Sequence, residues 1–277
     1  MKYINFNKKE QTRFMRSVKE RTSLSWEKLA SFLGISRSMI FVYLDGSSKI
    51  PKENYEKLCN ISRLRKSYNN YVEIRNKVET IKKPSLNEHL AELIGILAGD
   101  GHISKYNYEI VVSGHLMADK DYILGRVSLL FRNLFNVNVK IKKYKPNNNL
   151  RCVINSKELS EFLTGRYKLP LGKKMRKLHI PKKIKLNKKF LQSYLRGLFD
   201  TDGSIYLRRN ESVVSIISRD KAFLEEVRKG FENLGFRPSI SGKNLYLYNQ
   251  SGKFFSEISP ANTKHLLRYK KFMRKGH

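Results

Sequence analysis

Leu93-Ile94-Gly95-Ile96-Leu97-Ala98-Gly99-Asp100-Gly101 is answered, 102 residues further on, by Leu195-Arg196-Gly197-Leu198-Phe199-Asp200-Thr201-Asp202-Gly203. Each stretch predicts an apolar helix that closes on Asp-Gly. A carboxylate in the last turn of a helix faces the negative end of the backbone dipole, where an acid costs a few tenths to about one kcal/mol. A bound cation reverses that cost, and its recurrence makes Asp100 and Asp202 two halves of one candidate metal site. Gly95 and Gly197 each stand five residues before their acid, and Ala98 and Gly99 fall on about the same face as Gly95. Thr201 takes the small-residue part in the second helix. Small residues so placed let two helices meet backbone to backbone and bring their C-terminal ends together. Two carboxylates held close repel unless a divalent cation lies between or beside them. Hard oxygen ligands with positions left for water suit Mg²⁺, or Mn²⁺ in its place. The bland reading is a pair of caps preceding glycine, but Asn or Ser would do that without charge.

The rest of the composition fits a large anionic partner. The 277 residues hold 56 Lys+Arg against 24 Asp+Glu, a formal net charge of +32. That excess exceeds what solubility requires and points to nucleic acid. Hydrophobic content of 40%, with 15 Tyr and 15 Phe, excludes a disordered basic tail. Cys59 and Cys152 are the two cysteines, and they lack metal-ligand spacing, against a zinc ribbon or a disulfide scaffold. A reducing cytoplasm is the expected location. Met1-Lys2-Tyr3-Ile4-Asn5 has no apolar signal core and no run of 18 apolar residues occurs, so no membrane association is expected. None of the six histidines falls in a nuclease-like or zinc-binding spacing, and no P-loop, GxSxG or GxGxxG is present.

The segmentation predicts an α+β chain. Residues 1–62 read as short helices: Trp26, Leu29, Ala30 and Leu33 recur at helical spacing, Gly34-Ile35-Ser36 breaks the run, and Met39, Ile40, Tyr43 and Leu44 resume it. The second of these helices would present Arg37, Ser38, Phe41 and Val42 outward. Residues 63–84, polar and carrying Asn69-Asn70, read as a linker. Two αββαββα repeats follow, over 85–183 and 184–277. Ser85-x-x-Glu88 predicts a capping box for the first helix, and Asn187 a cap for its counterpart. Long amphipathic helices are expected over 119–135 and 220–234, hairpin turns at 146–149, Arg209-Asn210 and Gly242-Lys243, and a helical tail from Pro260. Two copies of one unit imply internal pseudo-twofold symmetry within a monomer.

The paired words, each followed by the same run of strands and helices, resemble a single-chain LAGLIDADG homing endonuclease over about residues 85–277. Residues 1–62, over roughly 40 of their number, resemble a helix-turn-helix DNA-binding domain of the phage-repressor type, with Arg37 and Ser38 among its DNA-facing residues. The family resemblance implies two four-stranded sheets laid along the DNA major groove and paired acids over the minor groove. Each acid would serve one strand, giving a site-specific double-strand break with short 3′ overhangs. It also implies that Lys105, Lys140, Lys142, Lys143, Arg151, Arg208, Arg209 and Lys243 contact double-stranded DNA. Leu169-Pro170-Leu171-Gly172-Lys173-Lys174 is similar to the segment joining the repeats in relatives from archaea and inteins, where a lysine assists the acids; Lys173 is the first candidate and Lys174 the second. Two departures stand out: Ala98-Gly99 replaces the Asp-Ala of the eponymous word, and Asp200 is an additional acid. The alternatives are a non-cleaving helix-turn-helix transcriptional regulator with the same fold, and a maturase binding intron RNA.

Overall fold

The computed structural model describes residues 2–65, 71–73, 81–209 and 211–273. The chain divides into two compact units, Met1–Val78 and Glu79–His277. In the first, β1 (Lys2–Ile4) leads into α1 (Lys8–Thr22), α2 (Trp26–Leu33), α3 (Arg37–Leu44) and α4 (Lys52–Ser62), and β2 (Tyr71–Glu73) returns antiparallel to β1. This short ladder departs from the all-helical expectation for the segment, and β2 lies in the stretch expected to be linker. Asn69-Asn70 and the rest of the linker at 66–70 and 74–80 lie outside the described residues.

Local chemistry fixes these helices. Asn7 and Glu10 close a reciprocal capping box on α1, and Ser25 and Ser36 cap α2 and α3 with their side chains. Gly34 takes a left-handed φ of 67° between α2 and α3, a conformation that costs glycine little. Met15, Val18, Leu29, Ile40 and Leu58 are fully buried at the centre of the unit.

The second unit runs α5 (Glu88–Ala98), β3 (Gly101–Ile103), β4 (Glu109–His115), α6 (Ser128–Phe135), β5 (Lys140–Tyr144), β6 (Asn149–Asn155) and α7 (Lys157–Tyr167). After the four-residue α8 (Lys182–Lys185) the order returns: α9 (Lys188–Asp202), β7 (Gly203–Arg208), β8 (Glu211–Ile217), α10 (Lys221–Asn233), β9 (Ser239–Ser241), β10 (Asn244–Tyr248) and α11 (Ser251–Glu257). A last helix, α12 (Thr263–Met273), follows. Two antiparallel four-stranded sheets result, ordered β3-β4-β6-β5 and β7-β8-β10-β9, the same permutation twice. The fold is therefore the tandem αββαββα arrangement expected from the sequence, and no described helix is long and apolar enough to cross a membrane.

Three details differ from the sequence reading. The cap of α5 is Asn87, whose Oδ1 accepts the Leu90 N–H at 3.0 Å, so the Ser85/Glu88 box does not form. The long helix of the first repeat opens with a π-helical turn over Tyr122–Val127, where the Ser128 hydroxyl donates to the Ile123 carbonyl five residues back. The seventh element of the second repeat is α11, hidden in a polar segment, and the helical tail is an eighth element. Of the Arg209-Asn210 turn, Arg209 takes a left-handed φ of 48° and Asn210 lies outside the described residues.

Candidate functional site

The seam between α5 and α9 is built on absent side chains. A methyl group added at Gly95 would overlap the Tyr194 carbonyl oxygen and lie 3.0 Å from the Leu198 nitrogen. One added at Gly197 would overlap the Glu92 carbonyl oxygen and lie 2.9 Å from the Ile96 nitrogen. Gly95 matches Gly197 in the two words and Glu92 matches Tyr194, so the contacts are reciprocal, as a twofold axis requires. Gly99 and Thr201 are each other's counterparts and meet directly, for a methyl at Gly99 would strike the Thr201 hydroxyl. That hydroxyl donates back to the Leu198 carbonyl at 2.9 Å. Ala98 is buried beside them at 3% exposure.

This seam carries both acids to one place. Asp202 is the last residue of α9, whereas α5 stops at Ala98 and Asp100 follows in the turn into β3. A methyl at Gly99 would also lie 3.4 Å from Asp202 Oδ2. Burial, and then the Asp100 carboxylate, push the Asp202 carboxyl up to about 7. Asp100 is exposed, yet the protein around it removes enough hydration to raise its carboxyl too, against the opposing pull of Lys174 and Lys264. Such a pair favours a cation over two bare negative charges.

Lys174, not Lys173, reaches this centre. Its Nζ donates to the Ala98 carbonyl at 3.0 Å and to that of Gly99, and burial lowers the ammonium to about 8 although Asp202 and Asp100 pull the other way. Lys173 is exposed. The two lysines are neighbours in an irregular segment, so only the path of the backbone decides which turns inward.

Asp200, the additional acid, is 1% exposed and is not aimed at solvent. Its oxygens accept the Ala261 and Asn262 N–H groups at 2.9 and 3.1 Å, and burial outweighs them to lift the carboxyl to about 7. Asn262 Nδ2 in turn reaches Asp119 Oδ1 at 2.8 Å and the Asp200 carbonyl at 3.0 Å. Lys264 Nζ lies 2.8 Å from the same Asp119 oxygen. Glu92, fully buried at the seam, accepts from Arg126 Nε at 2.7 Å and lies 3.4 Å from Arg196 Nη1. None of these partners was singled out in advance, since each lies far in sequence from the group it meets.

The candidate DNA-facing side chains divide by strand register. Residues directly opposite across a ladder share a face. In the first sheet Ile110, Val112, Leu150, Cys152 and Ile154 join the core. The other face therefore carries Lys140, Lys142 and Arg151, with Arg151 stacked 4.7 Å over Tyr144. Lys143 pairs with Leu150 and so belongs to the helix side, a correction forced by one residue of parity. Lys105 is exposed in the β3–β4 loop rather than on a strand. In the second sheet Arg208 ends β7 on the open face, while Arg209 and Lys243 sit in the hairpin turns. That face is otherwise lined by Tyr206, Tyr246 and Tyr248, the last two stacked at 5.6 Å. In the N-terminal unit Arg37 and Ser38 are exposed on the first turn of α3, beside the capping Ser36.

Residues 189–271 match the family described as LAGLIDADG-like domain. The matched residues lie within the second repeat. Over 233 residues the chain is 27% identical to glutamine–fructose-6-phosphate aminotransferase of Methanocaldococcus jannaschii; the match covers 82% of this chain and 20% of that protein. The chain therefore spans about a fifth of that relative's length. Among solved structures it is similar to mesophilic variants of the homing endonuclease I-DmoI, at 22% identity and a TM-score of 0.45, covering 62% of this chain and 94% of that one. It is also similar to the N-terminal LAGLIDADG domain of DUF199/WhiA, at 18% identity and a TM-score of 0.44, covering 67% and 90%.

Proposed function

We propose that this chain is a site-specific double-strand DNA endonuclease, a monomer whose two repeats each supply one acid. The observation that carries this reading is the reciprocal glycine seam, because it presses two helix ends together with a carboxylate on each. No group of three or more metal-ligating side chains occurs among the described residues, so the donor set is the Asp100 and Asp202 carboxylates. Two carboxylates with room for water and phosphate oxygens fit Mg²⁺ or Mn²⁺, which keep several waters. Bound there, such an ion acts as a Lewis acid on the phosphate and lowers the pKa of an attacking water.

The protein's own groups then have separate tasks. Asp100 and Asp202 hold the metal, and the stiff seam fixes their spacing. Lys174 sets a positive charge beside them, held by the Ala98 and Gly99 carbonyls, to stabilise charge growing on the phosphate. Lys140, Lys142, Arg151 and Arg208 grip backbone phosphates from the open sheet faces, with Lys105, Arg209 and Lys243 at the loops. In the N-terminal unit, α2 and α3 act as a helix-turn-helix whose Arg37 and Ser38 add a second contact to DNA. Two tethered contacts bind far more tightly than either alone.

The test is a selection with the purified protein, Mg²⁺ and a random-sequence duplex library. Sequencing the cut ends is expected to recover one preferred site with breaks offset to leave short 3′ extensions. Recovery of a preferred bound sequence without any cut would replace this reading with that of a regulator.

A further inference from the structure

At the end of α5 opposite the acids, three stretches of chain enclose a cavity of about 520 Å³. Its walls are residues 85–86 just before α5, residues 166–168 at the end of α7, and the segment 179–183 that leads into α8. Because α5 is 11 residues long, the cavity lies about 16 Å from the acids along the helix axis.

The walls are cationic. Arg166, Lys168, Lys182 and Lys183 line the cavity with His179 beside them, and no carboxylate does. Two acids bonded to the chain next to these walls are engaged elsewhere. Glu158 accepts the Ile81 N–H at 3.2 Å and pairs with Lys83 at 2.6 Å, and Glu226 accepts the Ile180 N–H at 2.9 Å and pairs with Lys185 at 2.8 Å. Those bonds pin the chain beside two of the walls and leave the four lining cations without an ion pair among the described residues. Like charges gathered around one hollow repel, and a bound anion removes that cost. The remaining wall is apolar, formed by Leu86, Pro181 and Tyr167. Tyr167 is 4% exposed and packs edge-on against Phe162 with ring centroids 5.6 Å apart. Its hydroxyl is buried without a hydrogen-bond partner among the described residues, an unmet donor in a wall otherwise set for acceptors.

We propose that this cavity binds a nucleoside triphosphate, with its phosphates among Arg166, Lys168, Lys182 and Lys183 and its base against Leu86 and Pro181. The volume falls within the roughly 300–1,000 Å³ of small-molecule sites. A triphosphate chain spreads its charge over several oxygens, which suits four separate cations better than a single phosphate does. A DNA duplex is too wide to enter a hollow of this size, and the acids stand at the far end of α5. The site is therefore independent of the endonuclease reading.

The experiment measures ATP binding to the full chain by titration calorimetry in EDTA, which keeps the acid centre free of metal and any DNA uncut. ATP is expected to bind saturably, inorganic triphosphate several-fold more weakly, and adenosine not measurably. Replacing Lys182 and Lys183 together by Gln is expected to weaken ATP by about tenfold or more, since each change removes a charge-assisted bond. Both side chains are exposed, so the melting temperature of this variant should match the wild type. Lys182→Arg combined with Lys183→Arg keeps the charges and is expected to bind ATP as the wild type does. A duplex bound beforehand is expected to leave the ATP affinity unchanged, as is the replacement of Lys140 and Lys142 by Gln. Triphosphate binding as tightly as ATP would overturn the seat for the base and with it the nucleotide assignment. Displacement of ATP by the duplex, or equal ATP affinity in the Lys182 and Lys183 Gln variant, would overturn the site itself. Single-stranded RNA that binds and is lost in that variant, with no ATP binding, would overturn the proposal in favour of RNA. None of these outcomes depends on cleavage, so the endonuclease reading stands or falls on its own test.

Discussion

The α5–α9 seam and the two open sheet faces belong to the same repeats, yet the backbone contacts of the seam repeat themselves across the two helices and the side chains of the faces do not. At the seam Gly95 faces the Tyr194 carbonyl as Gly197 faces that of Glu92, and Asn87 and Asn187 cap the two helices alike. On the faces, Lys140, Lys142 and Arg151 of the first repeat correspond by register to Ser239, Ser241 and Asn244 of the second, whose open face carries instead Tyr206, Tyr246 and Tyr248, with Arg208 at the margin. The difference follows from what each region touches. Backbone meeting backbone admits no side chain, so both helices are held to glycine. An open strand face is constrained only by alternation, so its chemistry is free to differ between the halves. A symmetric centre with unlike flanks suits a target whose two halves have different sequences.

The seam should be the harder of the two to alter. Gly95→Ala and Gly197→Ala each force a methyl into a carbonyl, and each is expected to lower the unfolding free energy by about 3 kcal/mol in urea titrations. A loss below about 0.5 kcal/mol would mean that the helices separate easily and that the acids are not rigidly placed.

The faces should tolerate change in stability but differ in how they bind. Replacing Lys140, Lys142 and Arg151 together by Gln is expected to reduce the slope of log affinity against log salt by about three. Replacing Tyr206, Tyr246 and Tyr248 by Ala is expected to leave that slope nearly unchanged and to weaken binding through lost ring contacts. Equal slopes for the two sets would erase the contrast between the repeats.

A smaller effect concerns protons at the centre. Asp200 and Asp202 hold theirs up to about 7 in the native chain, whereas unfolded aspartates ionise near about 4. Between those values the native state binds more protons, so stability of the metal-free protein should fall as pH rises from about 4 to about 7. Melting curves in EDTA should trace this decline, and Asp202→Asn should flatten it. A wild type whose stability rises through that window would show that the carboxyls are not desolvated.

Much of this arrangement could be read from the sequence. The two nine-residue words declared the helices, their contact and the acids, because glycine spacing and Asp-Gly endings are local signals. Strands β4, β6, β8 and β10 followed from alternation. What escaped depends on chain path or register. Choosing Lys174 over Lys173 needs the course of an irregular segment, and placing Lys143 on the helix side needs strand pairing known to one residue. Lys264 was one cation among 56, although its spacing from Pro260, matching that of Lys174 from Pro170, was a usable sign. The Asp119 and Asn262 contact spans 143 residues, and nothing in either neighbourhood announces the other. The π-helical turn after Asp119 left no mark that amphipathic periodicity could register.

The most direct measurement compares Asp100→Asn and Asp202→Asn with the wild type on the selected duplex, scoring binding in Ca²⁺ and cleavage in Mg²⁺. The expected result is affinity within a few-fold of wild type and cleavage reduced by about a thousandfold or more in each variant. Cleavage at the wild-type rate by either variant would contradict the assignment of these two acids as the metal-holding pair.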